Sequence, residues 1–246
     1  MVNHRENAGE FLPMLSLEDE DKSMAEEYED ILPLIALKNT VLFPGVVIPI
    51  TIGRDKSLSA LKKSDRGTKN IAVVTQRDSN IEEPEAADLS KIGVVAKLMK
   101  VLKMPDGSTT AILQGRKKIF VEDFTKYDPH FEVKAYFLEE AVPEDDMEFD
   151  AMHSSIVETS RRIIELSPQI PNEAMVMLQN IKSPAYLFNF IASNLNVSAT
   201  VKQELLEIGN LKDKGSKILE HLNQEIQMLQ IKDQIESKVR GDIDKQ

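Results

Sequence analysis

The sequence predicts an α+β protein in which a small antiparallel β-sheet, curled or closed on itself, precedes a bundle of α-helices. Between residues 31 and 141, short runs of β-branched and aromatic residues alternate with Gly, Pro and Asp turns, which is typical of strands joined by tight connections. Beyond Pro143 the hydrophobic period changes from about two to about 3.6 residues, the period of an amphipathic helix. The last segment, from Leu211, contains no proline and predicts one long helix.

Residues 1–30 are polar and rich in Asp and Glu, with few aliphatic residues between them. Such a segment buries too little apolar surface to offset the entropy that it loses on ordering. We expect a disordered acidic tail, with an acidic docking arm as the alternative.

The stretch 31–61 predicts a strand, a turn, a second strand and a helix in close succession. Phe43-Pro44-Gly45 predicts the turn, because proline presets φ and glycine accepts positive φ. The β-branched run Val46–Ile52 predicts the second strand, and Pro49 within it predicts an edge position or a bulge. Asp55 is a candidate N-cap for the helix that follows.

Further strand signals follow. Together with the stretch 31–61 they predict about six strands and one early helix. The segments are 70–76, 91–104, 108–114, 117–124 and 131–138. Lys97, Lys100 and Lys103 interrupt the longest segment at intervals of three, which predicts a bulge or a twist. Pro105-Asp106-Gly107 predicts a hairpin turn, and Gly115-Arg116 predicts a break between two strands.

Cap signals divide the helical region. A helix is predicted from Asp146 to Leu166, ended by Ser167-Pro168. Ser183 followed by Pro184 predicts an N-cap with proline in the first helical position, and Ser198 predicts the N-cap of the next helix.

The apolar stripe of the long final helix changes register near Met228. Leu222 and Leu229 belong to the first stripe, whereas Ile231 and Ile235 belong to the second. We expect the first half of the helix to pack on the bundle and the second half to project away. These four residues form a candidate seam for self-association. The sequence stops without a cap at its last residue, so we expect the chain to be a fragment of a longer protein.

Composition and motifs exclude several classes of site. The formal net charge is −11 and the pI is near 5.0, which weighs against general binding to nucleic acid or anionic membrane. The sequence has no cysteine, no Gly-rich phosphate loop, no G-x-S-x-G elbow and no His spacing that suits a metal. No export signal or membrane-spanning run is visible. We expect a cytoplasmic protein without a catalytic residue, cofactor or metal in these residues.

The stretch LPLIALKNTVLFPGVVIPITIGRDKSL, residues 32–58, closely resembles the opening of the amino-terminal domain of the ATP-dependent Lon proteases, of the bacterial type. Gly93-Val94-Val95-Ala96-Lys97 and the Pro105-Asp106-Gly107 turn match later parts of the same family. The resemblance implies a small open β-barrel of the PUA-like kind with one helix, followed by a helical bundle. It implies these units: tail 1–30, β-rich lobe 31–141, helical lobe 146–210, and a long helix 211–246 that leads toward an absent ATPase module.

The resemblance also implies a function. The chain would be the substrate-recognition and assembly module of an ATP-dependent serine protease that degrades misfolded and regulatory proteins. Its partners would be unfolded or degron-bearing polypeptides and further copies of the protein, with a hexamer for the parent and a monomer or dimer for the fragment. ATP, Mg²⁺ and the Ser-Lys dyad would belong to modules that these residues lack, so the fragment would hydrolyse neither ATP nor peptide bonds.

Seven residues are candidates for contact with polypeptide, because exposed apolar groups commonly mark interaction sites and methionine adapts to varied partners. They are Phe43, Val46, Arg54, Lys56, Met99, Leu102 and Met104. The alternative is that the apolar members belong to the core and that the two cations are solvated.

Two other functions remain open. A nucleic-acid-binding module is possible for a PUA-like barrel, with a basic patch from Lys97, Lys100 and Lys103 through Arg116 to Lys118, although nucleic acid is disfavoured by the acidic balance. A structural oligomerisation spacer is the other alternative, with the long helix mediating self-association.

Overall fold

The computed structural model describes residues 26–171 and 173–243. The β-rich part contains strands β1 (Ile31–Leu37), β2 (Val47–Ile52), β3 (Asn70–Thr75), β4 (Ile92–Lys103), β5 (Thr109–Lys126) and β6 (Phe131–Phe137), with helix α1 (Asp55–Arg66) between β2 and β3. The helical part contains α2 (Met147–Leu166), α3 (Glu173–Asn180), α4 (Pro184–Asn194), α5 (Ala199–Glu207) and α6 (Leu211–Ile243).

The six strands form one sheet in the order β2-β5-β4-β3-β1-β6, and β6 also pairs with β5. The pairings of β5, β4, β3, β1 and β6 therefore make a closed circuit, with β2 attached to β5 at an edge. The edge position of β2 confirms the expectation set by Pro49, since proline cannot donate to a second neighbour.

The sheet is mixed, so the prediction of an antiparallel sheet is wrong for one pair. Strands β1 and β3 run parallel, with Leu34 opposite Ala72 and Leu37 opposite Thr75. Parallel neighbours need a crossover connection, which usually contains a helix. Helix α1 supplies it and packs against β1.

Two apolar cores lie on the two faces of the sheet. The smaller core takes residues at every second position from all five strands of the circuit: Leu32, Leu34, Ala72, Val74, Val95, Ile119, Val121, Phe131 and Val133. The larger core runs from the opposite face, through Phe43 and α1, into the helical part. The core is therefore continuous between the two parts of the chain.

The Phe43-Pro44-Gly45 turn is held against the middle of β5. The amide of Gly45 donates to the carbonyl of Gly115 (2.9 Å), and the amide of Gly115 donates to the carbonyl of Val46 (2.8 Å). A Cβ atom on Gly115 would lie 2.2 Å from the carbonyl oxygen of Phe43. The close approach of the two backbones therefore requires glycine at 115.

Strand β5 is continuous, so the predicted break at Gly115-Arg116 is wrong. The register shifts there instead, because Ala96 faces Gly115 while Val95 faces Lys117, which leaves Arg116 as an extra residue. The bulge predicted in β4 is confirmed, since Leu98 faces Leu113 while Lys100 faces Ile112. Met99 is the extra residue at this second bulge.

The predicted caps at Ser183 and Ser198 are confirmed, since Ser183 accepts from the amide of residue 186 and Ser198 from that of residue 201. Asp146, predicted as the first residue of its helix, is instead the N-cap and accepts from the amides of residues 148 and 149. The predicted cap at Asp55 is wrong. Asp55 is the first helical residue of α1, and the N-cap position belongs to Arg54, whose side chain makes no capping bond.

Helix α6 changes its surroundings along its length. In its first half Ile218, Leu222 and Ile226 are buried, and the helix packs along α2. In its second half Ile231 and Ile235 expose 51% and 57% of their surface. The first stripe therefore packs on the bundle and the second lies on an exposed face.

Of the predicted acidic tail, residues 1–25 lie outside the described residues, and 26–30 contact the sheet. Tyr28 packs beside the smaller core, with its ring 5.4 Å from that of Phe137. Glu29 accepts a hydrogen bond from Asn70 Nδ2 at 3.1 Å. The segment next to β1 is therefore an ordered part of the fold.

Candidate functional site

The structure places two of the predicted contact residues in the core. Phe43 exposes none of its surface and Val46 exposes 1%. Phe43 anchors the turn described above, so it cannot touch a polypeptide while that turn stays docked. Both residues therefore belong to the core, which is the alternative that the sequence left open.

Arg54 and Lys56 hold α1 to the strands around it. Arg54 Nη2 donates to Gln76 Oε1 at 2.6 Å. Lys56 Nζ lies 3.7 Å from Asp128 Oδ1 and 4.5 Å from the centroid of the Phe131 ring. These contacts give both cations a role in the fold.

The remaining candidates lie in the later part of β4 and just before the turn that leads to β5. Met99 and Met104 expose 52% and 43% of their surface, and Leu102 is partly exposed. The pairing of β3 with β4 ends at Lys97, so the later part of β4 has an edge that β3 does not cover. We call Met99, Leu102 and Met104 the hairpin patch.

The hairpin is closed by local geometry that the sequence predicts. Gly107 has φ +87°, and Asp106 Oδ1 accepts from the amide and the hydroxyl of Ser108 at 2.9 and 2.7 Å. The turn therefore presents the hairpin patch on a defined strand end rather than on a loose loop.

A second candidate site, which the sequence did not predict, is a cleft of about 650 Å³ between the sheet and α5. Lys38, Arg77 and Lys91 line it from the sheet side, and Glu204 and Glu207 line it from α5. Cations outnumber carboxylates in its lining, three to two, although the whole chain has a formal net charge of −11.

A smaller cleft of about 250 Å³ adjoins the first, since Asn39 and Ala199 line both. Val47 and Val197 line it together with polar residues, among them Ser193 and Lys202. Together the two clefts form a groove along the junction between the sheet and α4–α5, which we call the junction groove.

Gln203 is a buried polar side chain among the residues that line the junction groove. It exposes 9% of its surface, and its Nε2 donates to the carbonyl of Ile92 and to Glu207 Oε1, both at 2.9 Å. Its Oε1 has no hydrogen-bond partner among the described residues. The two bonds from Nε2 fix the amide, so Oε1 is an acceptor without a donor.

Below the groove, a buried charge cluster joins the sheet to the helices. Glu140 Oε1 accepts from Lys118 Nζ at 3.2 Å and from Lys214 Nζ, and both lysines are almost fully buried. Lys118 also donates to the carbonyls of Leu206 and Ile208, at 3.0 and 2.8 Å. Burial lowers the pKa of Lys214 to about 8, although the carboxylate of Glu140 opposes this shift.

Three cations of the basic patch proposed from sequence have contacts within the fold. Lys118 belongs to the buried cluster, Lys97 donates to the carbonyl of Thr68 at 3.2 Å, and Lys117 lies 5.1 Å from the centroid of the Phe137 ring. Lys118, being buried, is therefore not part of a surface for phosphates.

The described part of the chain contains neither a cluster of metal-ligand residues nor a membrane-spanning helix. Across residues 26–171 and 173–243, no three His, Asp or Glu side chains come together in a group that could hold a metal ion. Within the same ranges, no helix combines the length and apolarity needed to cross a membrane.

Comparison with protein families decides the affiliation of the chain. The family model of the ATP-dependent protease La (LON) substrate-binding domain matches residues 31–224. The chain belongs to this family. The match covers the six strands, helices α1–α5 and the buried first half of α6.

Relatives and solved structures agree with this assignment. Lon proteases of Flavobacterium johnsoniae and Porphyromonas gingivalis are 43% and 40% identical over 242 residues, covering 98% and 96% of this chain. This chain spans 30% and 29% of those relatives. The N-terminal domain of a Mycobacterium avium complex Lon protease superposes with a TM-score of 0.65 at 17% identity, covering 78% of this chain and 98% of that domain.

Proposed function

We propose that this chain is the substrate-engagement module of a Lon protease and that it binds polypeptide without cutting it. The family assignment supports a substrate-binding role, and the hairpin patch supplies a surface for it. Exposed apolar side chains next to an uncovered strand edge are suited to an unfolded chain, since the edge can pair with its backbone while the methionines contact its side chains.

The exposure of Met99 and Met104 is the observation that carries this proposal. Burying the exposed half of two methionine side chains contributes about 1.5–3 kcal/mol. This corresponds to a roughly tenfold to hundredfold effect on affinity.

The experiment measures fluorescence anisotropy of labelled β-casein, an unfolded model protein, with increasing concentrations of the chain. We expect saturable binding, and we expect the double variant Met99→Glu/Met104→Glu to weaken it at least tenfold. Met147→Glu is the matched control, because Met147 is 86% exposed at the start of α2, and its affinity should stay within twofold of the original. Equal affinities for the double variant and the original chain would remove the hairpin patch from the proposal.

For the parent protein we propose an ATP-dependent serine protease of the cytoplasm that degrades misfolded and regulatory proteins as a hexamer, with ATP and Mg²⁺ bound by other modules. The shared family and the names of the relatives, which are Lon proteases, support the protease part of this proposal. In the same proposal the closed circuit of strand pairings corresponds to a small PUA-like barrel. Casein incubated with this chain, ATP and Mg²⁺ should remain intact, and turnover above the blank would contradict a non-catalytic role.

The exposed second half of α6 favours one alternative, a role in self-association. Met228, Ile231 and Ile235 expose 67%, 51% and 57% of their surface. Sedimentation velocity of the whole chain and of a version ending at Leu229, which keeps the buried first half of α6, tests this role. Association that is lost with the exposed half, together with unchanged casein binding, would assign assembly to α6 and engagement to the β-rich part.

A further inference from the structure

We propose that residues 11–21 of this chain dock on the hairpin patch and on the lysines beside it, where they compete with other polypeptides for the same surface. Residues 11–21 lie outside the described residues, and their sequence and the point at which the chain enters the fold make them the occupant. This inference rests on the proposed function, because it takes the hairpin patch as a binding surface and adds a competitor from the same chain.

The described part of the chain begins at the base of the β4–β5 hairpin. Lys117 Nζ donates to the carbonyl of Glu26 at 3.4 Å. Glu29 accepts from Asn70 Nδ2 at 3.1 Å, and Asn70 lies opposite Lys97, the last residue of β4 that pairs with β3. The residues before Glu26 therefore leave the fold where the pairing of β4 with β3 ends.

The chain enters on the face of the sheet that carries Leu102. Tyr28 packs beside the smaller core, to which Val95 of β4 belongs, and Lys97 lies two residues beyond Val95. Side chains two residues apart on a strand share a face. This face continues along β4, because three of its residues lie opposite alternate residues of β5. The pairs are Lys97 with Gln114, Lys100 with Ile112 and Leu102 with Thr110.

The sequence before Glu26 supplies two runs that suit this surface. Going back from Glu26, the acidic run EDED, residues 18–21, comes first, and the apolar run FLPMLSL, residues 11–17, follows. Between residues 91 and 121 the sequence has seven Lys and Arg residues and one acidic residue, Asp106. Charge complementarity therefore favours the acidic run beside β4, and the apolar run can then cover the hairpin patch.

The lengths of the two segments agree. Met104 follows Lys97 by seven residues, a distance of about 23 Å at about 3.3 Å per residue. Leu17 precedes Glu26 by nine residues, which reach up to roughly 30 Å when fully extended. The apolar run can therefore reach the hairpin patch while the acidic run lies beside the lysines of β4.

The backbone of β4 offers a second kind of contact. Among the described strands, none pairs with β4 beyond Lys97 on the side away from β5. The chain before Glu26 runs toward the base of the hairpin while β4 runs away from it, so the two segments would pair as antiparallel strands. Pro13 is compatible with this position, because an outermost strand needs donors on one side only. An added strand would occupy the edge that the proposed function assigns to an unfolded polypeptide.

The first test locates the apolar run in the whole chain. The sequence has no cysteine, so Ser16→Cys carries a single nitroxide spin label. In a sample with ¹³C-methyl methionine, we expect the methyl resonances of Met99 and Met104 to broaden. Met147 and Met228 are internal controls, since they are 86% and 67% exposed on α2 and α6, and their resonances should keep their intensity. Unbroadened resonances of Met99 and Met104, or equal broadening of all four, would overturn the proposal.

A mixed sample shows whether the contact is intramolecular. Spin-labelled chain without ¹³C and ¹³C-labelled chain without the spin label are combined in equal amounts. We expect no broadening of Met99 and Met104, because label and methyl groups are then on different molecules. Broadening in the mixture as strong as in the doubly labelled chain would assign the contact to two copies and overturn the proposal.

Lys100→Glu tests the placement of the acidic run. It puts a carboxylate beside residues 18–21, and we expect the broadening of the hairpin methionines to fall at least twofold. Lys62→Glu is the matched control, since Lys62 is an exposed lysine of α1, and the broadening should not change. Equal broadening in the two variants would overturn the proposed alignment of the two segments.

The second test measures competition by the casein anisotropy assay. A segment tethered at an effective concentration of about 5 mM, with an intrinsic Kd of about 1 mM, weakens a competing ligand about sixfold. We expect the whole chain with Leu12→Ser/Leu15→Ser/Leu17→Ser to bind β-casein at least threefold more tightly than the original. Val2→Ser/Ala8→Ser is the matched control and should bind as the original does. Equal affinity of the triple variant and the original would overturn the competition.

The readouts separate this inference from the proposed function. Casein binding that depends on Met99 and Met104, without broadening of their resonances by the label at residue 16, would overturn the docked segment and leave the proposed function standing. Broadening at Met99 and Met104, without casein binding by the original or the triple variant, would support the docked segment and contradict the proposed function.

Discussion

Glu140 is a single carboxylate between two buried lysines, and its replacement by glutamine tests how the sheet is attached to the helices. Lys118 extends from β5 and Lys214 from α6, and both donate to Glu140 Oε1. Lys214 exposes none of its side chain, and Lys118 exposes 2%. In Glu140→Gln the two lysines would lose their counter-charge, and the pKa of Lys214, which the carboxylate of Glu140 holds up, would fall further.

Removing one partner of a buried ion pair typically costs 3–5 kcal/mol, because the other charge is left uncompensated. We therefore expect Glu140→Gln to lower the free energy of unfolding by about 4 kcal/mol at pH 7. For a chain of this size, the midpoint of thermal unfolding should fall by roughly 10 °C. Lys214→Met is the matched comparison: it keeps the pair of Glu140 with Lys118 and fills the site with an apolar chain of similar length. Its cost should stay near 1 kcal/mol, from the hydrogen bond that Lys214 donates to Asn189 Oδ1 at 3.0 Å.

The pH dependence supplies an independent check. The pKa of Lys214 falls from its ordinary value of 10.5 to about 8, and burial is the main cause. Between these values the unfolded chain binds more protons than the folded chain, so the contribution of Lys214 to the free energy of unfolding rises with pH. The rise through this window amounts to about 3 kcal/mol. Lys214→Met should lack it.

Urea denaturation followed by circular dichroism at 222 nm, for the original chain and both variants from pH 7 to 10, measures these quantities. The reasoning is refuted if the free energy of unfolding of Glu140→Gln stays within about 1 kcal/mol of that of the original chain at pH 7, since about 1 kcal/mol is the error of one such comparison. If the free energy of unfolding of Lys214→Met rises with pH as steeply as that of the original chain, the lowered pKa of Lys214 is refuted. The destabilisation predicted for Glu140→Gln would not be affected by that result.

Two further substitutions test the packing, and a thermal melt checks each. Gly115→Ala should destabilise the chain by about 2–3 kcal/mol, because the new Cβ would meet the carbonyl oxygen of Phe43 and the backbone would have to move. Ile218→Ala should cost about 2–5 kcal/mol because this side chain of α6 is fully buried, whereas Ile231→Ala should stay within about 0.5 kcal/mol. Similar losses for the two isoleucine variants would contradict the separation of the helix into a packed and an exposed half.

Local chemistry accounts for what could be predicted. Ser183-Pro184 and Ser198 begin helices as expected, because a cap depends on groups within a few residues of itself. The Pro105-Asp106-Gly107 hairpin and the change of stripe along α6 follow from short-range patterns of the same kind. Asp55 failed as a cap although its residue type suits that position, since the helix begins one residue earlier than the pattern indicates.

Long-range pairings account for what could not be predicted. The parallel neighbours β1 and β3 are separated by β2 and α1, and no local signal states which strands become adjacent. In the sequence, Gly115-Arg116 resembles the end of a strand. In the sheet it is a bulge within one strand, next to the turn at Phe43. The same limit explains the contact residues: Met99 and Met104 are exposed and Phe43 is buried, although all three are apolar residues beside turns.

The order of amino acids alone determined the family, the succession of strands and helices, and the hairpin with its methionines, because these depend on motifs and on neighbours along the chain. Tertiary packing decided the parallel pair, the buried cluster around Glu140 and the junction groove. The groove unites residues near positions 40, 77, 91 and 200, which meet through the docking of α5 on the sheet. A site assembled from such distant segments leaves no pattern in one sequence, since each of its residues is locally unremarkable.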